Sequence, residues 1–117
     1  MAIPKIGRAL PKRRYQIGEY SAVLLGEIEN VENFHFIYFL AMVKDGDREP
    51  SICISFEQEM ASDADDQPYS INLYTKDQKQ ILAYSPQALS MDEFDKGALQ
   101  TAMKILQLTD EKPCRLL

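Results

Sequence analysis

The residues with the greatest catalytic potential are one histidine and two cysteines, His35, Cys53 and Cys114. A single histidine excludes metal sites that need two imidazoles. A cysteine–histidine catalytic pair would require Cys53 and His35 to lie on neighbouring strands with their side chains on one face. We expect an ordinary strand thiol beside a strand imidazole instead, with no catalytic pair. Two widely spaced cysteines are unlike the dense disulfide frameworks of small secreted domains, so both are predicted to be free thiols in a reducing, cytoplasmic compartment.

A second chemical candidate is the acidic segment between residues 57 and 68. Its carboxylates could supply oxygen ligands to magnesium or calcium. The order of residues lacks the Asp-x-Asp-x-Asp-Gly pattern and the trailing glutamate of a calcium loop. We therefore expect a solvated loop and no metal or other cofactor. The carboxylates concerned are Glu57, Glu59, Asp63, Asp65 and Asp66.

The hydroxyl and amide side chains of the predicted strands give no catalytic pattern. Ser51, Ser55, Ser70 and Asn72 are predicted to line water-facing surfaces of strands, and no Gly-x-Ser-x-Gly elbow accompanies any serine. The 5 glycines are too scattered to form a phosphate-binding loop. The sequence therefore predicts no catalytic residues and no nucleotide chemistry.

The basic N-terminal arm, residues 1–14, contains five cationic side chains and no acid. Lys12, Arg13 and Arg14 beside Tyr15 could hold a nucleic-acid backbone with an aromatic stack next to it. Without these five, 8 of the 13 basic residues remain against 18 acidic ones, a balance of -10 that repels phosphate. We therefore favour an arm that crosses an acidic surface of its own chain or of a partner, such as the segment from Glu57 to Asp66, over nucleic-acid binding.

Apolar periodicity predicts five strands downstream of the arm. The runs are separated by short polar turns, including an Asp45-Gly46 step that favours a hairpin because glycine accepts positive φ. Short connections favour antiparallel neighbours, since parallel pairing needs long crossovers. The run from residue 34 to residue 43 is apolar on both faces and should be central. The five predicted strands cover residues 15–28 with a break near Gly18, 34–43, 51–57, 69–75 and 80–85.

One helix of about 19 residues is predicted after the strands. Ser90 and Glu93 form a capping box at its start, and Pro86 and Pro113 bracket it. At 100° per residue it carries two apolar stripes. One sheet should cover the first stripe, so the second needs another cover, which a dimer interface could supply. The first stripe contains Phe94, Ala98, Ala102, Ile105 and Leu108, and the second contains Leu99, Met103 and Leu106.

An alternative use of the apolar residues is a ligand pocket between sheet and helix. Its walls would be aromatic, which suits flat ligands. Polar groups converging on Tyr38 or His35 would favour ligand binding or an enzyme, whereas close packing of the same residues would leave no pocket. The predicted lining consists of Tyr20, Phe36, Tyr38, Phe56, Tyr74 and Phe94, with His35 beside it.

Composition places the chain among ordinary globular domains. It has 117 residues, 45% of them hydrophobic, and no apolar run of 18 residues that would span a membrane. We predict an α+β domain at residues 15–109, an antiparallel β-meander of about five strands with one C-terminal helix packed on one face. A tail at residues 110–117 follows it. The preferred function is a small non-catalytic interaction module that self-associates as a homodimer or binds another protein; a ligand-binding protein or enzyme, and weak nucleic-acid association, are the alternatives.

Overall fold

In the computed structural model, which describes residues 3–4, 6–29, 35–58 and 68–117, the chain forms seven strands and one helix. All pairings are antiparallel, and the spatial order follows the chain from β6 to β1, with β7 beyond β1. The predicted α+β class and the meander are confirmed. The elements are β1 (Arg8–Ile17), β2 (Tyr20–Glu29), β3 (Phe36–Lys44), β4 (Ile52–Gln58), β5 (Tyr69–Tyr74), β6 (Lys79–Ser85), α1 (Met91–Ile105) and β7 (Cys114–Arg115).

The sheet contains more strands than the five that were predicted. The first predicted strand divides at Gly18, whose φ of 56° is in the left-handed region that a tight turn requires. The preceding strand reaches back to Arg8, so residues 8–14 of the predicted arm belong to the sheet. Pro11 is tolerated there because register shifts flank it and its strand lies near an edge. The two residues of β7 then pair with Tyr15 and Gln16.

The sheet buries both of its faces around its centre. The main core lies between the sheet and α1, which contacts β3 and β4. A second, smaller cluster lies on the opposite face and consists of Phe36, Phe39, Ala41, Cys53 and Tyr74, with Ile3, Ile6, Leu25 and Ile28 packed against it. β3 contributes to both clusters, so its predicted central position is confirmed.

The helix begins as predicted and ends earlier. Ser90 accepts a hydrogen bond from the Glu93 backbone N–H, and the Glu93 side chain accepts one from the Ser90 N–H. This reciprocal pair confirms the capping box. The helix has 15 residues, because Gln107 adopts a φ of 59° and the N–H of Leu108 turns back to the Met103 carbonyl at 2.7 Å. This is a C-terminal capping motif, which stops the helix before the predicted length is reached.

Candidate functional site

A buried carboxylate, Glu57, forms the centre of a polar cluster on the sheet face opposite α1. Its Oε2 accepts hydrogen bonds from Ser55 Oγ at 2.5 Å, Tyr74 OH at 2.6 Å and Asn72 Nδ2 at 2.7 Å. The Lys79 ammonium lies 3.6 Å from the other oxygen, Oε1. Three donors and one cation compensate the hydration that a carboxylate loses on burial.

The register of β4 and β5 brings this cluster together. Ser55 lies opposite Asn72 and Glu57 opposite Ser70, so alternation projects all four side chains to one face. Ser55, Ser70 and Asn72 have no exposed surface, and Glu57 is 6% exposed. The prediction of a water-facing surface at Ser55, Ser70 and Asn72 is therefore wrong. This face is buried: the Ser55 hydroxyl and the Asn72 amide donate to Glu57, and the Asn72 amide also donates to Ser70.

Chemically, the Glu57 cluster is suited to holding strands together. Its contacts connect β4 to β5 through Asn72 and Tyr74, and to β6 through Lys79. Within the described ranges, no group of three or more His, Cys, Asp or Glu side chains could hold a metal ion. Of the carboxylates in the predicted acidic segment only Glu57 is described; Glu59, Asp63, Asp65 and Asp66 lie outside the described residues.

A second buried charge pair joins the start of the sheet to the helix. Arg13 Nη1 donates to Asp95 Oδ2 at 2.8 Å, and the Tyr15 hydroxyl donates to the same oxygen at 2.5 Å. Arg13 also pairs with Asp92 in the first turn of α1. Burial and the Asp95 hydrogen bond raise the pKa of Tyr15, while the Arg13 contact lowers the pKa of Asp92. The side chains of Arg13 and Asp95 are 14% and 5% exposed, so Arg13 fixes the helix rather than presenting a charge to a ligand.

Two other cations of the predicted arm, Lys12 and Arg8, also have acidic partners within the chain, whereas Lys5 lies outside the described residues. Lys12 pairs with Glu27, and Arg8 lies 3.8 Å from Glu29. Arg14 is exposed and forms no ion pair with any residue that the structure describes. The basic residues therefore face acidic groups of β2 and α1. The segment from Glu57 to Asp66, named as the arm's acidic surface, is described only for Glu57 and Gln58.

The aromatic residues of the predicted ligand pocket do not line one space. Tyr38 stacks on Phe56 and Phe94 in the main core, with ring centroids 6.3 Å and 5.7 Å apart. Tyr74 lies on the opposite face of the sheet with Phe36. His35 precedes β3 and its carbonyl accepts from the N–H of Gln58 at the far end of β4 from Cys53. These contacts are those of packed side chains on two faces.

Cys53 and His35 are also too far apart to act as a pair. Cys53 lies opposite Ala41, whereas His35 bonds to Gln58, so five residues of β4, about 17 Å, separate the two positions along the strand. Burial raises the pKa of the Cys53 thiol to about 12. Both cysteines are free thiols, Cys53 buried and Cys114 exposed, as predicted.

The second apolar stripe of the helix lies against the chain's own core. Leu99 is buried in the main cluster, and Met103 and Leu106 are half-buried against the same cluster. The sheet therefore reaches both stripes, because the helix axis places Leu99 as well as Ala98 over the main core. A dimer interface at Leu99, Met103 and Leu106 stays a prediction. Leu99 is only 9% exposed, so an interface there would bury little additional surface of this residue.

The most exposed apolar surface of the sheet is its edge strand β6. Tyr84 is 52% exposed, Ile81 47% and Leu82 37%. An apolar cleft of about 290 Å³ lies between this strand and α1. Leu82 and Ala83 form its β6 wall, and Phe94, Gly97 and Ala98 its helix wall, while Glu93 is its charged residue. An unpaired strand edge beside an apolar cleft can accept another chain.

Comparison with protein-family models, curated proteins and solved structures gives no significant match for this chain. In the part of the chain that the structure describes, no helix is both long enough and apolar enough to cross a membrane. The features of the molecule that bear on its function are the Glu57 cluster, the Arg13 contacts, and the β6 edge with its cleft.

Proposed function

We propose that the protein is a small non-catalytic interaction module that works as a homodimer. The observation that carries the proposal is the edge strand β6, where Ile81, Leu82 and Tyr84 are between 37% and 52% exposed along a row of backbone groups that pairs with no other strand among the described residues. Soluble monomers usually protect such an edge with charges, proline or a covering segment. Within β6 the only charged residue is Lys79, which is directed toward Glu57.

The chemistry of the buried clusters supports a non-catalytic role. Glu57 and Asp95 each accept hydrogen bonds from side chains of their own chain, and both are at least nine-tenths buried. A general acid or base must reach the proton that it transfers. These two carboxylates are instead placed to connect strands and helix. The free thiols Cys53 and Cys114 are consistent with a reducing, cytoplasmic location, which we include in the proposal.

A second candidate function is binding of a small apolar ligand in the cleft between β6 and α1. Its volume of about 290 Å³ and its wall of Ile54, Ile71 and Leu82 are the supporting observations. Pockets for drug-sized ligands start near this volume, at about 300 Å³. Titration with an anilinonaphthalene sulfonate dye would test it: saturable fluorescence that Gly97→Leu abolishes supports the ligand site, and absence of a saturable signal counts against it.

The structure gives the nucleic-acid alternative little support. Arg8, Lys12 and Arg13 already face carboxylates of the same chain, which leaves Arg14 as the unpaired cation of β1 among the described residues. Affinity for nucleic acid depends on the number of phosphates that cations neutralise. One exposed arginine on an acidic domain provides a small footprint.

Sedimentation equilibrium of the full chain over a range of micromolar concentrations tests the dimer. We expect a monomer–dimer equilibrium that Tyr84→Lys weakens about 100-fold, since losing roughly 1.5 kcal/mol of apolar burial in each of two subunits totals about 3 kcal/mol. Leu10→Lys is the matched control, because Leu10 is also 52% exposed but lies on β1. A parent protein that remains monomeric throughout this range would refute the proposal.

A further inference from the structure

The side chains of β6 have a symmetric arrangement about the strand's centre. Ile81 and Tyr84 lie opposite Asn72 and Ser70, on the face away from α1, whereas Ala83 lies opposite Ile71 on the helix face. The register shifts between Ile71 and Asn72, so Leu82 is an extra, bulged residue, and it lines the cleft with Ala83. The side chains of Ile81 and Tyr84 therefore point away from the helix, whereas those of Leu82 and Ala83 point toward it.

This symmetry makes β6 complementary to a second copy of itself. In an antiparallel register centred between residues 82 and 83, Ile81 lies opposite Tyr84 of the second copy, on the same face. Leu82 then lies opposite Ala83 of the second copy, and Gln80 opposite Ser85. Aromatic and β-branched residues are favourable cross-strand partners. Lys79, the charged residue of β6, falls opposite position 86, so no like charges meet.

We propose that two copies join edge to edge through β6 in this register, extending the seven-stranded sheet into one continuous antiparallel sheet. The inference rests on the proposed homodimer and deepens it by naming the surface and the residue pairs. The two-fold axis is perpendicular to the sheet and passes between positions 82 and 83. A two-fold interface of this kind is closed, so association stops at the dimer.

The opposite edge of the sheet is unsuited to the same pairing. β1 carries Arg8, Lys12, Arg13 and Arg14 and no acid, and Pro11 has no N–H to donate. Pairing β1 with itself would bring these cations together, which is destabilising. β7 also covers part of this edge at Tyr15 and Gln16. The β6 edge is thus the one that accepts a second copy.

The β6 pairing also places the cleft beside the interface, because Leu82 and Ala83 of β6 form one of its walls. Because the axis is perpendicular to the sheet, both helices and both clefts lie on the same face, on either side of the β6 seam. Gly97 lines the cleft in the middle of α1, and a Cβ added there would meet no atom within 4 Å. Glycine is unfavourable in a helix interior. Among the residues that the structure describes, no contact explains it.

Pairwise disulfide formation tests the register. Ile81→Cys and Tyr84→Cys are made separately in a Cys114→Ser background, because Cys114 is exposed, whereas Cys53 is buried and unreactive. One variant carries a mass tag, and the two are mixed and oxidised. We expect the mixed disulfide to exceed either self-linked species at least fivefold, because like positions lie about 10 Å apart along the strands and a disulfide needs Cα atoms within about 7 Å.

A mixture of Leu10→Cys and Tyr84→Cys is the control for random collision, since both native side chains are 52% exposed. A mixed disulfide at no more than about twice the yield of each self-linked species, which is the statistical result of random pairing, would overturn the register. If sedimentation shows a dimer but positions 81 and 84 do not crosslink above this control, the interface is wrong while self-association stands. If the parent is monomeric, the proposed function fails as well. Far-UV circular dichroism of each variant checks its fold, and Tyr84→Lys gives an independent readout of the same edge.

Discussion

Replacing Glu57 by glutamine removes the charge at the centre of the buried cluster while keeping its shape. Oε2 accepts from Ser55, Asn72 and Tyr74, and Oε1 faces the Lys79 ammonium. An amide has one oxygen and one NH₂ group, so it cannot offer two anionic acceptors to these partners. With the amide oxygen in the place of Oε2 the three donors keep an acceptor, but a neutral one, while the amide NH₂ group faces Lys79, which loses its counter-charge.

The expected loss of stability follows from these contacts. Hydrogen bonds to charged groups contribute about 1.5–3 kcal/mol and neutral ones about 0.5–1.5 kcal/mol, so each of the three bonds weakens by about 1 kcal/mol. The free energy of unfolding should therefore fall by about 3 kcal/mol. For a domain of this size that corresponds to a fall in melting temperature of about 12 °C. Lys79 is partly exposed, so its unpairing adds little to this figure.

Urea denaturation measures the change, with the protein concentration held constant because the proposed self-association would contribute to the measured stability. Glu29→Gln is the control, since Glu29 also faces a cation, Arg8, but its side chain is 67% exposed. We expect that control to change the free energy of unfolding by less than about 0.5 kcal/mol. If the free energy of unfolding falls no further for Glu57→Gln than for Glu29→Gln, the Glu57 carboxylate does not hold the strands together.

Three further predictions concern the glycines and the thiols. Gly97→Ala should raise the free energy of unfolding by about 0.5–1 kcal/mol, because no atom lies within 4 Å of the added Cβ. Gly46→Ala should lower the free energy of unfolding, because φ is 91° at that position. The melting temperatures of the two variants and the parent protein test both. At pH 8 a disulfide exchange reagent should titrate Cys114 alone, and Cys53 only after unfolding. Burial raises the pKa of the Cys53 thiol from 9.0 to about 12, so the stability that the buried, protonated thiol contributes is complete below pH 9 and is lost as the pH rises toward 12. Cys53→Ala should therefore flatten the dependence of the free energy of unfolding on pH between pH 9 and 12. An unchanged dependence would contradict the burial of this thiol.

The helix start and the hairpin at Gly46 could be predicted from the sequence because each depends on residues within one turn of chain. Ser90 and Glu93 satisfy each other's backbone, and Gly46 needs only its own freedom at positive φ. The helix end is equally local, yet Gln107 adopts its left-handed conformation without glycine or asparagine to mark it. No residue type there indicated that the helix stops at Ile105.

The polar contacts could not be predicted because they join residues far apart in the chain. Arg13 bonds to Asp95, 82 residues away, and nothing in a basic arm indicates a buried partner. At Ser55 and Asn72 the alternating pattern was interpreted as one dry and one wet face, which is the usual meaning of that pattern. A sheet with a second buried face gives the same alternation when the polar residues of that face donate to a buried carboxylate, here Glu57. Which strand lies at the edge of the sheet depends on strand order, and the hydrophobic periodicity of a sequence carries no information about strand order.

The sequential strand order has a consequence for how the chain folds. From β1 to β6 every strand pairs with its neighbour along the chain, so each step closes only a short loop and the sheet can grow one strand at a time. β7 is different: Arg115 pairs with Tyr15, which closes a loop of about 100 residues for two residue pairs. Such a contact contributes little until the rest of the sheet exists. The C-terminal strand should therefore dock last during folding and exchange its amide protons first in the native protein.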